Sequence, residues 1–341
     1  MQPIRTITAD DVESIAQGAA LLACGSGGDP LIGALLARQA IAQHGPVPLV
    51  AVESLPEDAL VVPGCMLGDP AILSEKPPQG DELVQALHVL ERVLDRPASA
   101  VICAGTFGLN LTLALALAAA ARLPLIDGDG TGRALPGLRA SGFALHGVSA
   151  TPMVLCDDKG NSLTIETVSD DWAEGLARTA TAEMGGVAMT TLFPMTGGQA
   201  QRAVIAGTVS LSARIGAALH SAEAPVSALC DLLPGRVLTT GRVQHLNPAA
   251  AQIGAQGGDA PPVQISFADV LLSAGRAGQT IAASPQALAL IDPASGRPIP
   301  FASLTPGQRV ALLTWPAAPV WSAQGGAAMA GPAAFGGPAA G

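Results

Sequence analysis

Two carboxylates stand two residues apart directly after an apolar run, at Asp127 and Asp129 of the segment Ile126-Asp-Gly-Asp-Gly-Thr-Gly-Arg133. Such a pair can bind a hard cation or orient a water molecule, and Arg133 can hold a substrate carboxylate with two hydrogen bonds. The alternative is an Asp/Gly turn in which the acids cap the next helix and Arg133 balances their charge. The segment is too short for an EF-hand loop, so it does not predict calcium binding of that kind.

The histidine that matters most is His146, because the segment Phe143-Ala-Leu-His-Gly-Val148 predicts a strand soon after the acidic loop. Together with Asp127 and Asp129 it gives a ligand set for one divalent metal such as zinc, which would supply hydroxide at neutral pH. A hydrogen-bonded core histidine is the alternative. Neither His-Glu-x-x-His nor Gly-x-Ser-x-Gly occurs, so the sequence supports neither a zinc peptidase nor an α/β-hydrolase.

A glycine-rich loop opens a helix near the N-terminus. Free backbone N–H groups at such a point favour an anion or a developing oxyanion, although a tight structural turn would need the same residues. The loop follows a helix rather than a strand, and it matches neither the P-loop nor the Gly-x-Gly-x-x-Gly spacing. The predicted substrate-binding residues here are Gly25, Ser26, Gly27, Gly28 and Asp29.

Three further side chains are weighed for the same site. Lys76 follows a strand-like run and, like Arg133, could hold an acidic arm of the substrate. Cys65 is a possible nucleophile, but free cysteines are usually buried, and packing is the favoured interpretation. Thr196, in the break Pro194-Met-Thr-Gly-Gly-Gln199, either contacts substrate or caps the next helix.

Strands alternating with helices would position these residues over the first two thirds of the chain. Short apolar runs near 47–52, 59–64, 100–105 and 124–127 are typical of strands buried on both faces, and helical periodicity returns between them. This pattern predicts an α/β domain over residues 1–232 with a mainly parallel sheet flanked by helices. Ligands bind such sheets at the carboxyl ends of the strands.

From Pro234 onward the sequence changes to short runs typical of β-strands, with frequent Gly and Pro. These runs predict a smaller, mainly β domain over residues 233–322, in which Asn247 to Pro262 is a long flexible connection. Residues 323–341 are an Ala/Gly-rich tail, predicted to be poorly ordered except where Gly331-Pro332 and Phe335 could dock.

Composition excludes several classes of protein. With 49% hydrophobic and 13% charged residues the 341-residue chain must fold, and no apolar run approaches the ~20 residues of a bilayer span. A net charge of -10, without a basic cluster, argues against nucleic acid. Five scattered cysteines and no signal-peptide pattern predict reduced thiols and a cytoplasmic location. Low charge also predicts a homo-oligomer.

The motifs taken in order resemble one family, the S-methyl thiohydantoin desulfurase-like proteins, which are associated with hydantoinase-type proteins. The resemblance implies an α/β N-terminal domain and a mostly β C-terminal domain that act on a five-membered cyclic imide-like ring, with hydrolytic loss of sulfur. The segments that carry it are Ala23-Cys-Gly-Ser-Gly-Gly-Asp-Pro30, Met66-Leu-Gly-Asp-Pro70, Asp127-Gly-Asp-Gly-Thr-Gly-Arg133, Thr151-Pro152, Asp158-Lys-Gly-Asn161 and Pro194-Met-Thr-Gly197.

The resulting hypothesis is a hydrolase of a small hydantoin-like or thiohydantoin-like compound. A carboxylate of Asp127 or Asp129 would activate water, and the glycine loop would stabilise the anionic intermediate. Two alternatives remain. One is a non-catalytic metabolite-binding or assembly partner of a hydantoinase-type enzyme, and the other is a lyase or isomerase acting on a small carboxylated ring.

Overall fold

A computed structural model of the chain describes residues 3–26, 30–106, 108–135, 137–221, 223–255, 260–323 and 325–335. Within these residues two β-sheets carry the architecture, a mixed sheet of ten strands and an antiparallel sheet of seven. The helices are α1 Val12–Leu22, α2 Pro30–His44, α3 Ile72–Glu75, α4 Glu82–Leu94, α5 Leu109–Ala121, α6 Gly142–Leu145, α7 Asp170–Glu183, α8 Gly197–Ala203, α9 Thr208–Ser221, α10 Pro225–Leu232 and α11 Gly326–Ala330.

The first sheet has parallel pairs at its centre and antiparallel strands at both sides. Its main path runs β1-β2-β5-β4-β3-β8-β6-β7, and the pairs β2 with β5, β5 with β4 and β4 with β3 are parallel. The short strands β9 and β10 pair with β3 and β5. The strands are β1 Pro3–Ile7, β2 Val47–Val50, β3 Leu60–Gly68, β4 Ala100–Cys103, β5 Leu125–Asp129, β6 Met153–Cys156, β7 Ser162–Ile165, β8 Val187–Thr191, β9 Met195–Thr196 and β10 Ile205–Ala206.

Helices cover both faces of this sheet. One core joins alternate strand residues to α1, α2, α4 and α5, and a second core joins the other alternate residues to α7 and α8. Helix α5 is buried along residues 109–119, which explains why it is apolar all round rather than on one stripe. Helix α4, by contrast, buries Leu83, Ala86, Leu87 and Leu90 at helical spacing. The sheet is therefore sandwiched as the alternation of elements predicts.

The second sheet begins after α10, and its order is β15-β14-β13-β12-β11-β17-β16. Because every pairing in it is antiparallel, it could form from short connections without crossover helices. Its strands are β11 Arg236–Asn247, β12 Ala250–Ala255, β13 Val263–Ala268, β14 Val270–Arg276, β15 Gln279–Ala283, β16 Ala287–Ile291 and β17 Arg309–Trp315.

Two predictions about the C-terminal part need correction. The segment from Asn247 to Pro262 is not a long flexible connection over its described length, because β12 pairs there with both β11 and β13. The alternation of buried residues could not be recognised in the sequence of this stretch, because many of its residues are alanine or glycine. The tail is partly ordered, since α11 packs its fully buried Ala330 and the turn Pro332–Phe335 follows it. Residues 336–341 lie outside the described part.

The predicted fold class is confirmed: an α/β domain whose sheet has a parallel centre, followed by a mainly β part. Antiparallel strands at the edges make the first sheet mixed, and β6 and β7 form an antiparallel hairpin at one of these edges. The domain limits at 232 and 322 stay predictions. In the described residues, every helix is too short or too polar to cross a lipid bilayer.

Candidate functional site

Strand β5 ends on two carboxylates. Asp127 and Asp129 alternate with Gly128, so their side chains share the face of Leu125, which packs in the core beside α1, α2 and α5. Strands β2 and β4, on the two sides of β5, run parallel to it, and the short β10 pairs antiparallel with Gly128 and Asp129. Asp127 and Asp129, named here the β5 carboxylates, therefore lie at the sheet edge where open α/β sheets bind ligands.

The Asp127 carboxylate binds the first turn of α9. Its Oδ1 accepts a hydrogen bond from the backbone N–H of Ser210 at 2.9 Å, and its Oδ2 accepts one from the Ser210 hydroxyl at 2.5 Å. Asp127 is 6% exposed. The carboxylate thus caps a helix, as one interpretation of the sequence held, although α9 is not the next helix along the chain. The positive end of the α9 dipole stabilises its charge.

The Asp129 carboxylate is fully buried and holds two loops. It accepts hydrogen bonds from the backbone N–H groups of Thr106, of Thr131 at 3.0 Å and of Gly132 at 2.7 Å. Burial raises the pKa of Asp129, and the hydrogen bonds from Thr106 and Gly132 offset this only in part. Asp129 therefore holds a proton to higher pH than an exposed aspartate does.

Thr106, whose backbone N–H bonds Asp129, contacts the helix that binds Asp127 through its hydroxyl. Thr106 follows β4, Thr208 opens α9, and their Oγ1 atoms are 3.0 Å apart. Thr106 is completely buried and Thr208 is 4% exposed. Close by in the chain, the hydroxyl of Thr131 is buried without a hydrogen-bond partner. The arrangement combines two carboxylates, several hydroxyls and a helix N-terminus, which is suited to moving protons and stabilising negative charge.

His146 does not join this group. It lies at the end of the short helix α6 rather than on a strand, it is exposed, and its Nδ1 is 2.8 Å from the carbonyl oxygen of Gly142. The described residues contain no group of three or more His, Cys, Asp or Glu side chains arranged to hold a metal ion. Asp127, Asp129 and His146 are therefore not brought together as a set of metal ligands, and the predicted zinc set does not fit this structure.

The Arg133 guanidinium binds backbone carbonyls, mainly in the second sheet, rather than a substrate carboxylate. Arg133 is 2% exposed, and its Nε donates to the carbonyl of Ala134 at 3.0 Å. Its Nη1 donates to the carbonyls of Pro285, at 3.3 Å, and Gln286, while Nη2 donates to that of Leu271 at 3.4 Å. The guanidinium thus joins the β5 loop to strands of the antiparallel sheet, which assigns it a structural role.

Lys76 and Thr196 lie apart from the β5 carboxylates. Lys76 forms an ion pair with Asp158 in the β6–β7 turn, and β6 is four strands along from β5, or about 19 Å at ~4.8 Å per strand. Thr196 pairs with Leu60 at the start of β3, the opposite edge of the sheet. It forms a capping box with Gln199 at the start of α8, which accounts for its hydroxyl.

The first part of the glycine loop packs against the second sheet. The carbonyl of Cys24 accepts a hydrogen bond from Leu271 N–H at 2.8 Å, and that of Gly25 accepts one from Phe301 N–H, also at 2.8 Å. Ser26 N–H closes the turn at the end of α1 by bonding Ala23. The predicted ligand contacts of Gly27, Gly28 and Asp29 lie outside the described residues.

The cysteines have the environment of core residues. Cys24, Cys65, Cys103 and Cys156 are buried. Burial raises the pKa of Cys65 to about 12 and that of Cys156 to about 11, so both thiols are protonated at neutral pH. Burial likewise raises the pKa of Cys24, more than offsetting the opposing influence of the Arg133 guanidinium. Packing is therefore the better interpretation of Cys65.

Thiol labelling tests this assignment. A thiol reagent added to the folded protein should react first with Cys230, the one cysteine that is only partly buried, and with the other four only after denaturant is added. The Cys230→Ser variant should lose the fast phase. Rapid labelling of Cys24 or Cys65 in folded protein would contradict the assignment and restore that thiol as a nucleophile.

Sequence reasoning missed Thr106, Thr208 and Ser210. Thr106 comes shortly after the carboxyl end of β4, beside the carboxyl end of β5 where the two acids lie, so the rule about carboxyl ends of parallel strands could have selected it. Thr208 and Ser210 come from a helix some 80 residues further on. Their proximity depends on α9 packing with its N-terminus at this edge, which no local pattern shows.

The fold has a counterpart among solved structures. The X-ray crystal structure of a protein from Chromobacterium violaceum superimposes with a TM-score of 0.81 over 93% of each chain, at 21% sequence identity. The superposition shows that the two proteins share a fold. No curated protein gives a significant match to the sequence.

Family models match the chain along almost its whole length. The model of the S-Me-THD-like N-terminal domain matches residues 10–167, and that of the S-Me-THD-like C-terminal domain matches residues 168–339. The first match contains the β5 carboxylates and Thr106, and the second contains α9 with Thr208 and Ser210, so the site is built from both. The chain belongs to the S-Me-THD-like family.

Proposed function

We propose that this protein hydrolyses a thiohydantoin-type ring, releasing the sulfur substituent from the ring carbon that bears it. In the reaction, the oxygen of water bonds to that carbon and the C–S bond breaks. One proton of the water goes to an enzyme carboxylate and the other to the ring nitrogen as the carbonyl forms, while the sulfur leaves as a thiolate that takes up the proton held by the carboxylate. For an S-methyl thiohydantoin the products are the hydantoin and methanethiol.

The observation that carries this proposal is the contact of Asp127 with the first turn of α9. Asp127 is the more accessible of the two β5 carboxylates, and Ser210 holds it through both its N–H and its hydroxyl. A carboxylate fixed in this way can accept a proton from a water molecule without first reorienting. Family membership directs the choice of ring.

Negative charge develops on the ring nitrogen or on sulfur when water attacks. The N-terminus of α9 supplies a preorganised positive potential at this edge, because a helix dipole is positive at its N-terminus. Such a fixed dipole costs no reorganisation at the moment of reaction. Arg133 and Lys76 are occupied by carbonyls and by Asp158, so neither is assigned to the substrate.

The Asp127→Asn variant tests the proposal. An asparagine can still accept from Ser210 N–H and donate to its hydroxyl, so we expect little change in Tm. Loss of the base should lower kcat on an S-methyl thiohydantoin by about 10²-fold or more. Ring absorbance and thiol release would be followed together. Asp171→Asn, an exposed acid paired with Arg139, is the matched control and should keep full activity.

Two results would count against this assignment. Full activity of Asp127→Asn would remove Asp127 as the base while leaving the reaction in place. Absence of turnover by the unmodified protein on hydantoins and thiohydantoins would reject the hydrolase proposal itself.

A binding or assembly role is the second candidate, and one surface favours it. Val168, Trp172 and Leu176 are 92%, 63% and 47% exposed, and the last two are one turn apart on α7. Exposed large apolar side chains at this spacing are typical of protein interfaces. The partner would be a second copy or a hydantoinase-type protein, as expected from the sequence. Co-purification with such an enzyme, combined with no turnover by the chain alone, would favour this role.

A further inference from the structure

Helices α2 and α5 touch near their starts and separate further along. A Cβ added at Gly33 of α2 would lie 2.0 Å from the Oγ1 of Thr112 in α5, so the two helices pack directly against each other there. Toward their C-terminal ends they leave a cavity of about 380 Å³. Small side chains face this space, namely Ala40 of α2 with Ala116 and Ala120 of α5. Gaps of this size are rare in close-packed proteins, which makes the cavity a candidate binding site.

The inner walls of the cavity are apolar. Leu36 of α2 lines it with Leu113 and Leu117 of α5, and Leu83 of α4 and Met189 of β8 complete these walls. A cavity of about 150 Å³ with walls of Leu, Ile and Phe is enough to bind benzene. The space between α2 and α5 is more than twice as large, so it can hold a bicyclic ring with a short side arm.

A fixed loop immediately before α4 closes one side of the cavity. The Glu82 carboxylate accepts hydrogen bonds from the backbone N–H groups of Gln79 and Gly80, each at 2.8 Å. The Gln79 side chain donates to the carbonyl of Asp158 at 3.2 Å. Gly80 has a φ of +104°, and a Cβ there would lie 3.7 Å from the Leu36 side chain, so the loop reaches α2. This wall is therefore preformed, which lowers the cost of ordering on binding.

The polar groups at the cavity favour a positively charged ligand. Asp81 is exposed at the rim, and its side chain does not cap α4. Glu82 is only 5% exposed, and no described residue forms an ion pair with either acid. Lys76, just before the loop, pairs with Asp158. The other polar side chains are three glutamines and His44, and the described lining includes neither lysine nor arginine. Because charged groups are seldom buried without an opposite charge, a cation suits this wall.

We propose that this cavity binds a small organic ammonium ion whose apolar body is an aromatic or branched group. The apolar body lies between α2 and α5, and the ammonium group pairs with the carboxylates of Asp81 and Glu82. The β5 carboxylates do not line the cavity, so the site is separate from theirs and independent of the proposed hydrolase function.

Calorimetric titration with three indoles of similar shape tests the charge of the ligand. Tryptamine carries an ethylammonium arm, 3-indoleethanol a neutral hydroxyl and indole-3-propionate a carboxylate. We expect the unmodified protein to bind one tryptamine with a Kd of about 1 mM or tighter, at least fivefold more tightly than 3-indoleethanol, and to reject indole-3-propionate. Failure to bind tryptamine, or equal affinity for the ammonium and the neutral compound, would overturn the proposal.

Filling the cavity tests its location. In Ala116→Leu the added atoms would extend into the space between the helices, and we expect tryptamine to bind at least tenfold more weakly. Ala42→Leu, on the exposed side of α2 and outside the cavity lining, is the matched control and should bind tryptamine normally. If leucine at position 116 prevents folding, Ala120→Leu blocks the same space at a partly buried position. A folded variant with a filled cavity and unchanged tryptamine affinity would place the ligand elsewhere and reject this site.

Removal of one charge tests the ion pair. Asp81→Asn keeps the shape of the rim, and we expect it to weaken tryptamine binding at least threefold while leaving the affinity for 3-indoleethanol within twofold. Asp95→Asn makes the same change at the other end of α4, outside the cavity lining, and should alter neither affinity. Equal tryptamine affinities in the two variants would show that Asp81 does not hold the ammonium group. None of these titrations requires turnover, so their outcome is distinct from that of the hydrolase proposal.

Discussion

Replacing Gly18 with alanine should lower the free energy of unfolding by about 3 kcal/mol, near the top of the usual range for overpacking. Gly18 lies in α1, where an added Cβ would be 1.9 Å from the carbonyl oxygen of Ser212 in α9. Gly216 of α9 is equally close to Ser14 of α1. The two helices are thus in backbone contact at reciprocal glycines, and one methyl group must push them apart by more than an ångström.

The same change should also reduce activity. Ser212 donates its hydroxyl to the carbonyl of Thr208 at 2.9 Å, so a shift of Ser212 moves the turn that carries Thr208 and Ser210. A displacement of about 1 Å in catalytic groups can cost ~10²-fold in rate. We therefore expect Gly18→Ala to lower kcat on a thiohydantoin substrate even at temperatures where the protein is fully folded.

Urea denaturation with a matched control checks the first part. Gly175 lies within α7 and an added Cβ there would meet nothing within 4 Å, so Gly175→Ala should stabilise the protein by about 0.5–1 kcal/mol. The two substitutions are chemically identical and should have opposite signs. A Gly18→Ala variant as stable as the unmodified protein would show that α1 and α9 are not packed this closely.

The sequence predicted that Asp127 and Asp129 lie at the carboxyl end of a strand in a parallel sheet, because one rule sufficed for it. The two carboxylates come at the end of an apolar run among helices, and strand ends of a parallel sheet meet at one edge. Helical periodicity between the strand-like runs likewise corresponds to α4 and α5 of the structure. Such features follow from the local sequence alone, namely from the spacing of apolar residues and from the residues that end each element.

The partners of those carboxylates could not be predicted in the same way. Asp127 meets Ser210, and Asp129 reaches Thr208 through Thr106, across long separations in sequence. Hydroxyl residues are common, and nothing local distinguishes these from the threonines that bond backbone carbonyls. His146 was wrongly assigned to a strand because Phe143 and Val148 suggested an apolar run, whereas four residues there form α6, capped by Ser141.

Arg133 shows a different limit of prediction from sequence. Its charge suggested contact with a substrate, but charge alone does not identify the groups that a side chain binds. Its donors instead bond carbonyls of Ala134, Leu271, Pro285 and Gln286, three of which belong to the second sheet or to the turn between its strands. A planar guanidinium can serve several carbonyls at once, which a lysine cannot. The loop that follows the β5 carboxylates is therefore attached to the β part of the chain by one side chain.

Removing that side chain should be costly. Arg133→Met fills a similar volume but leaves buried carbonyls without their donors, and we expect the free energy of unfolding to fall by about 3 kcal/mol or more, since hydrogen bonds to charged groups contribute ~1.5–3 kcal/mol each. Arg133→Lys should recover only part of the loss. Arg139→Met is the matched control: this arginine is 63% exposed and pairs only with Asp171 among the contacts described, so its removal should cost about 1 kcal/mol or less.

Amide hydrogen exchange can then show where the attachment fails. In Arg133→Met we expect faster exchange in the turn at Ser284–Gln286 and in the loop at Thr131–Arg133, with little change in α4 or β3, which lie away from the contact. Because Thr131 and Gly132 donate to Asp129, loosening of this loop would also expose the buried carboxylate to solvent. If Arg133→Met were as stable as Arg139→Met and the exchange pattern were unchanged, the guanidinium would not be joining the two sheets, and its availability for a substrate would be restored.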